Sequence, residues 1–426
     1  MPCPRGAFAL LVLAPVLPAL GQGEREDVFP LAREPLYSAL AAEAQEKSPE
    51  ILAASAAVAA AKARVPHASA LPDPELMVGY EYGGRGLQPG ADDDTGLAVG
   101  FVQALPGPGK RGLRSAVAER EAREVEHALH RARVEIAYRL RRAYADLLLA
   151  RENLALIDDQ RRATRDIEEL TRSRYAVGLA QQSDVLRAQA ELARLERMRY
   201  HELGQETLAI AELNRILARP AATPVPGTPL LRDLDVSAVR VPSVEKAIAG
   251  LDAASPALLA AHAMVERARA ARDLARKDQA PDFVARASYL YRGSMPPMAT
   301  ADLGIMLPLY KGKKQKQALA EAEARLQVGQ SSAEAMRLRV RANVEKARAD
   351  LEAAVREAEA YQSGVLAVDA LAVESALASF QAGKSPFVAV LEAHNTLYRD
   401  RWEQAELLFH ILWHSASLDA LGVVMD

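Results

Sequence analysis

Two stretches decide the fold: SPEILAASAAVAAAKARVPHASALPDPELMVGYEY, beginning at Ser48, and SPALLAAHAMVERARAARDLARKDQAPDFVARASYLYRG, beginning at Ser255. Each opens on Ser-Pro, runs through an alanine-rich helix, meets a proline and ends in a strand-like run. The echo continues downstream. ALPGPGKRGLRSAVAEREAR (Ala104 to Arg123) answers MLPLYKGKKQKQALAEAEAR (Met306 to Arg325), and RYAVGLAQQSDVLRAQ (Arg174 to Gln189) answers SFQAGKSPFVAVLEAH (Ser379 to His394). The offset is 207 residues from Ser48 to Ser255 and 205 from Gly178 to Gly383. A near-constant offset argues against chance, and so long a spacing lies beyond solenoid periods. The chain therefore reads as one module written twice, 22–218 and 243–426, joined by a proline- and turn-rich linker, 219–242, that wraps the body. Each half orders helix, strand, loop, strand, long helix, tight turn, long helix.

Four stretches alternate with period two, the mark of a half-buried strand. In 75–82, Leu76, Val78, Tyr80 and Tyr82 share one face, with Glu75, Met77, Gly79 and Glu81 on the other. In 96–105, Leu97, Val99 and Phe101 oppose Gly96, Ala98 and Gly100. In 282–292, Phe283, Tyr289 and Tyr291 oppose Arg286, Ser288 and Arg292; in 301–309, Leu303, Ile305, Leu307 and Leu309 oppose Asp302 and Gly304. Runs of about ten residues suit tilted strands crossing a bilayer. Tyrosines gathered toward one end, with an apolar face set against a mixed polar one, suit a lipid-facing and a lumen-facing side. An ordinary antiparallel sheet packed on helices fits the same alternation. Four strands close no barrel, since known spanning barrels begin at about eight, so a membrane location demands several subunits.

The helices are long. From Lys110 to Ala176 there is no proline, which gives roughly 100 Å of helix at ~1.5 Å per residue. Leu140, Ala143, Leu147, Ala150, Leu154 and Ile157 step by three and four, as do Met336, Val340, Ala347, Leu351, Ala354, Ala358, Tyr361, Val365 and Val368 in the second copy. That spacing marks a coiled-coil seam. Companion helices run over 182–217 and 387–421, which makes hairpins of 110–218 and 311–422. At their turns, Gly178 and Gly383 fit the C′ position, where a positive φ is wanted, and Ser183 and Ser385 are placed to cap the helices that follow.

Half of the residues are hydrophobic but only 5% aromatic, an alanine- and leucine-rich mix that enters helices at little cost. The net charge of −3 lacks the basic excess of a nucleic-acid binder. Arg5, the apolar run Ala7–Leu17 and the small residues Ala19 and Gly21 read as a signal peptide over 1–21. The one cysteine, Cys3, falls inside it. No later stretch is read as a transmembrane helix.

Taken together, the duplication, the strand pairs and the turns resemble the TolC-like outer membrane efflux protein family. So do the proline-bearing segments Leu105-Pro106-Gly107-Pro108-Gly109-Lys110 and Leu307-Pro308-Leu309-Tyr310-Lys311, and the G-x-x-x-x-x-D-V-L pattern from Gly178 to Leu186. The resemblance covers nearly the whole mature chain, and its Pro-Gly-Lys-Arg segment is most similar to the heavy-metal branch. It implies a mainly α fold with a small β part: three subunits, each giving four strands to one twelve-stranded barrel in the outer membrane, continued across the periplasm by an α-barrel of coiled-coil hairpins. It implies a homotrimer in contact with outer-membrane lipid, a periplasmic adaptor and an inner-membrane pump, with no enzymatic activity and no cofactor. By the same resemblance the tips Val177, Gly178, Leu179, Gly383, Lys384 and Ser385 meet the adaptor, and Asp184 and Glu392 line a constriction at the entrance. Phe380 and Ser385 stand where the family pattern has tyrosine and arginine, removing donors that Asp184 would pair with.

Other readings share parts of this pattern. A polypeptide-secreting duct has the same architecture. A periplasmic coiled-coil adaptor would account for the hairpins but not for the strands. His410 and His414, at i and i+4, and His127 and His130 have spacings that can hold a metal, but ordinary interfacial histidines suit them better. Met295 and Met298, a pair of soft-metal donors, carry little weight. No phosphate loop, no GxSxG elbow and no catalytic dyad is present.

Overall fold

A computed structural model describes residues 30–31, 34–84, 87–235 and 238–423; the signal-peptide reading and Cys3 lie outside them. In chain order the elements are α1 (Pro35–Lys47), α2 (Pro49–Ser69), β1 (Glu75–Glu81), β2 (Gly96–Leu105), α3 (Lys110–Ala176), α4 (Gln182–Ile216), α5 (Val244–Ile248), α6 (Leu251–Ala254), α7 (Pro256–Lys277), β3 (Asp282–Tyr291), β4 (Met298–Met306), α8 (Gln315–Ala360), α9 (Leu366–Gln381) and α10 (Phe387–Leu421).

The four strands form one antiparallel sheet in the order β1-β2-β3-β4. Residues directly opposite one another point to the same side, so the register sorts the faces. Leu76 pairs with Phe101, Val78 with Val99, and Tyr80 with Leu97. Leu97 then faces Tyr291, and Val99 faces Tyr289. Ala285 faces Leu303, and Phe283 faces Ile305. This puts one apolar, largely solvent-exposed surface on the outside of the sheet. The opposite face carries Gly79, Ala98, Gly100, Ser288 and Thr300, with Arg286 opposite Asp302. Small side chains suit the inside of a curved sheet, where space is short. A Cβ on Gly304 would lie 2.9 Å from Val284 Cγ1.

One expected strand sits in a different place. Period two carried the fourth strand over 301–309, but β4 runs Met298–Met306. Pro308 has no N–H for the ladder, and Leu309 N turns back onto Leu307 O at 2.9 Å. At the other end Thr300, Ala299 and Met298 pair with Ser288, Tyr289 and Leu290. Leu307 and Leu309 therefore lie outside the sheet, and the β3–β4 loop is shorter than the expected 293–300.

α3 spans 67 residues without interruption, about 100 Å. Its middle is the hub of the molecule: Leu140, Tyr144, Leu147, Leu148 and Ile157 are fully buried. Four of these five pack with Leu40, Leu213, Leu351, Ile411 and Leu412 from α1, α4, α8 and α10. Each such burial contributes about 1.5–3 kcal/mol. The 219–235 part of the linker lies along α3: Arg151 bonds to Val225 O and Pro226 O, and Arg232 to Glu152, a carboxylate only 2% exposed.

The second long helix is not uniform. Between α8 and α9, Tyr361–Val365 forms a single π turn, a wider coil that inserts a residue without breaking the rod. The Tyr361 hydroxyl reaches Glu403 on α10 there. Two helical stretches, Val244–Lys277 and Gln315–Gln381, are long and apolar enough by composition to cross a membrane, with mean hydropathy 1.4, where the sequence reading expected none. In the single chain 33% of the apolar window is buried in the first and 6% in the second.

Candidate functional site at the hairpin tips

Both hairpins end in the same backbone motif. Gly178 and Gly383 take φ of +75° and +73°. Gly178 N donates to Tyr175 O and Leu179 N to Arg174 O, at 3.0 and 2.8 Å. Gly383 N donates to Phe380 O and Lys384 N to Ser379 O, both at 2.9 Å. These are Schellman closures, in which the C′ residue must be left-handed.

The helices that follow start differently from expectation. Ser183 is inside α4, and its hydroxyl donates to Gln181 Oε1 at 3.2 Å. The N-cap is Gln181, whose N–H donates to Asp184 Oδ2 at 3.4 Å. Pro386 is the N-cap of α10; Ser385 precedes it, with its hydroxyl buried and unpartnered. Asp184 is thus an N3 acid facing the positive end of α4, where a carboxylate is favoured. Glu392 is exposed on the second turn of α10, and among the described residues no bond or ion pair joins it to Asp184.

The two turns are brought together by residues the sequence reading did not single out. Arg174, at the end of α3, donates to Gln381 O at 2.8 Å across the gap between hairpins. Its guanidinium stacks on the Phe380 ring at 4.8 Å. Phe380 meets Phe387 edge-on at 6.0 Å, and together with Ile167, Ala188 and Val390 they make a small apolar nucleus drawn from all four tip helices. A tyrosine hydroxyl at 380 would have to find a partner inside that nucleus; phenylalanine does not. One turn beyond Val390, His394 is buried against Tyr398 at 4.8 Å, and burial pushes its pKa down, which keeps the ring neutral. Outside this nucleus Val177 and Leu179 project into solvent, 69% and 65% exposed. Lys384 is exposed as well.

His410 and His414 stack at 5.9 Å beside Trp413, and no group able to hold a metal occurs among the described residues. A groove of about 440 Å3 between α3 and α4 is lined by Asp146, Asn153, Glu202, Gln205 and Glu212 among others, with no nucleophile beside a base. A sheet with an apolar outer face, set on rods about 100 Å long that end in paired tight turns, the first exposing Val177 and Leu179, defines a membrane-anchored channel subunit.

The chain belongs to the outer membrane efflux protein family, whose model matches residues 40–219 and 248–421. It is an outer-membrane channel of the kind that serves tripartite efflux systems. It extends from the outer membrane into the periplasm, and its family is not enzymatic. No curated protein sequence matches the chain. The outer-membrane channel OprN is 17% identical, with 94% of this chain and 93% of that one covered at a TM-score of 0.80. The channel-forming protein CusC is 17% identical over 91% and 92% at 0.78. The MtrE outer-membrane channel of Neisseria gonorrhoeae, solved in its open state, is 18% identical over 91% and 89% at 0.75. At these identities the likeness is one of fold.

Proposed function

We propose that the chain works as a homotrimer, a passive duct that takes cargo from a periplasmic adaptor and an inner-membrane pump and releases it outside. The observation that carries this reading is the open sheet. β1 and β4 are edges, the outer face is apolar, and four strands cannot close on themselves. A barrel edge is satisfied only by another strand, which several copies of this chain supply. The modules 22–218 and 243–426, after a leader at 1–21 and around a linker at 219–242, are read as two fused copies, each with one strand pair and one hairpin. Val177, Gly178, Leu179, Gly383, Lys384 and Ser385 form the adaptor-facing rim. Asp184 and Glu392 sit near the entrance and favour cations. The finer reading, that the cargo is metal cations, rests on the Pro108-Gly109-Lys110-Arg111 segment.

Negative-stain microscopy of detergent-extracted protein tests the assembly. Threefold hollow cylinders are expected, and slender monomers or dimers would remove the duct. Single-channel recording tests the entrance: Asp184→Ala with Glu392→Ala is expected to reduce cation preference, and unchanged conductance and selectivity would remove both residues from it.

A further inference from the structure

We propose that residues 307–316, from the end of β4 into the first turn of α8, are a binding site for anionic glycerophospholipid headgroups at the periplasmic surface of the outer membrane. The two copies of the module differ here. Leu307 follows Leu105 by 202 residues, whereas the helix start Gln315 follows the helix start Lys110 by 205. The two copies align here without a gap, Ala104–Arg123 against Met306–Arg325, so α8 begins three positions later than α3 and leaves residues 312–314 outside the helix. At this junction the first copy has one lysine at its helix start, Lys110, aligned with Gly312, and it is buried. It is held by Asp282 at 2.9 Å, by Asp278 at 3.7 Å and by Ala280 O at 2.8 Å. The second copy places Lys311, Lys313, Lys314 and Lys316 in solvent. None of the four ion-pairs with a carboxylate among the described residues.

These lysines are set by structure and by position. Lys313 N and Lys314 N both bond to Tyr310 O, at 3.1 and 3.0 Å, and Lys316 N bonds to Lys311 O at 2.8 Å. The backbone is a closed turn, so the charges are held together. Leu307, Leu309 and Tyr310 lie directly before them, 66%, 81% and 78% exposed. Leu303 and Ile305 lie on the outer face of the sheet, which ends at Met306, and Leu307, Leu309 and Tyr310 follow at its α8 end. The exposed apolar residues thus lie just beyond the membrane-facing sheet, Tyr310 stands where interfacial aromatics gather, and the lysines follow at headgroup depth. A cluster of four lysines against a membrane recognises anionic lipid, each contributing about fivefold in affinity.

The test uses the full-length protein, extracted in mild detergent and stripped of lipid. Native mass spectrometry of the intact assembly is read while phosphatidylglycerol, phosphatidylcholine or inorganic phosphate is added. The wild type is expected to retain phosphatidylglycerol at least tenfold better than phosphatidylcholine, and phosphate is expected not to displace it. Lys311→Gln, Lys313→Gln, Lys314→Gln and Lys316→Gln together are expected to abolish the preference while the assembly stays intact, with Lys246→Gln as an unaffected control. Leu309→Ser with Tyr310→Ser is expected to weaken both lipids alike. The proposal is overturned if the fourfold variant keeps its preference, or if inorganic phosphate competes and so marks a free-anion site. It is also overturned if the variant falls into monomers with lipid preference unchanged, which would assign the lysines to a neighbouring copy.

Discussion

Arg174→Ala is expected to loosen the tip without unfolding the protein. In the wild type the guanidinium makes one charged hydrogen bond to Gln381 O at 2.8 Å and covers the Phe380 ring at 4.8 Å. Arg174 is half-buried, so the bond is taken near the lower end for charged groups, ~1.5 kcal/mol, and the ring contact at ~0.5 kcal/mol. About 2 kcal/mol corresponds to roughly thirtyfold in the population that opens locally. The amides to watch are those of Gly383 and Lys384, which close the second turn onto Phe380 and Ser379. Hydrogen exchange of the peptide over 378–386 should accelerate by that factor, with the central part of α3 unchanged, because its protection comes from the separate core around Leu140 and Leu147. Arg174→Lys keeps the charge but loses the planar fork, and should fall between the two. Acceleration below twofold would show that the tips are joined by the apolar nucleus alone. Equal acceleration along all of α10 would show that the arginine acts on global stability instead.

Two further perturbations test the packing behind the tips. Asp369 on α9 lies against Asp400 on α10, and burial first, then the bond to Asp400, raises its pKa. A raised carboxyl pKa stabilises the folded form at low pH, and that contribution fades as pH climbs through and above the usual carboxylate range. The α9–α10 contact should therefore loosen with rising pH, and Asp369→Asn should flatten the dependence when exchange of α9 amides is followed against pH. At the opposite ends of the second helices, Ala218 adopts φ +55° where its counterpart Gly422 adopts +93°. Ala218→Gly should raise stability by ~0.5–1 kcal/mol by relieving the left-handed strain. Gly422→Ala should lower it by about 3 kcal/mol, since its Cβ would fall 2.7 Å from Ser255 Cα; thermal unfolding followed by circular dichroism reads both.

Long-range order was legible where one residue type carries the decision. The absence of proline after Lys110 made α3, and glycine at 178 and 383 made the turns, because few other residues tolerate a positive φ. β1, β2 and β3 were legible within a residue, because alternation there is bounded by Gly, Pro and Asp. β4 was displaced because Leu307 and Leu309 keep the alternation past Pro308, and period two does not register a missing N–H. The π turn at Tyr361–Val365 left no trace, since one inserted residue shifts a heptad by less than the scatter of its apolar positions. Arg174 was invisible for a different reason: its partner Gln381 is 207 residues away, and no local pattern marks the meeting of two distant turns. The cap at Gln181 was missed because serine is the stronger capping residue, and the acid at Asp184 decides the matter from three positions on.

The surfaces left uncovered on one chain also order the assembly. The outer face of the sheet exposes Leu76, Val78, Leu303 and Ile305, and lipid satisfies it without any partner protein. The edges of β1 and β4 present backbone donors and acceptors, which lipid cannot satisfy; strands of other copies can. Beyond the π turn the seam that buries Val340, Ala347, Leu351 and Ala358 is carried on by Leu377 and Phe380, while Val368 and Leu371 on α9 are both 64% exposed. These two residues form an apolar face of α9 that the single chain leaves uncovered. In the homotrimer proposed above, membrane insertion, strand pairing and helix packing depend on one another, which ties the stability of the folded chain to its concentration in the membrane.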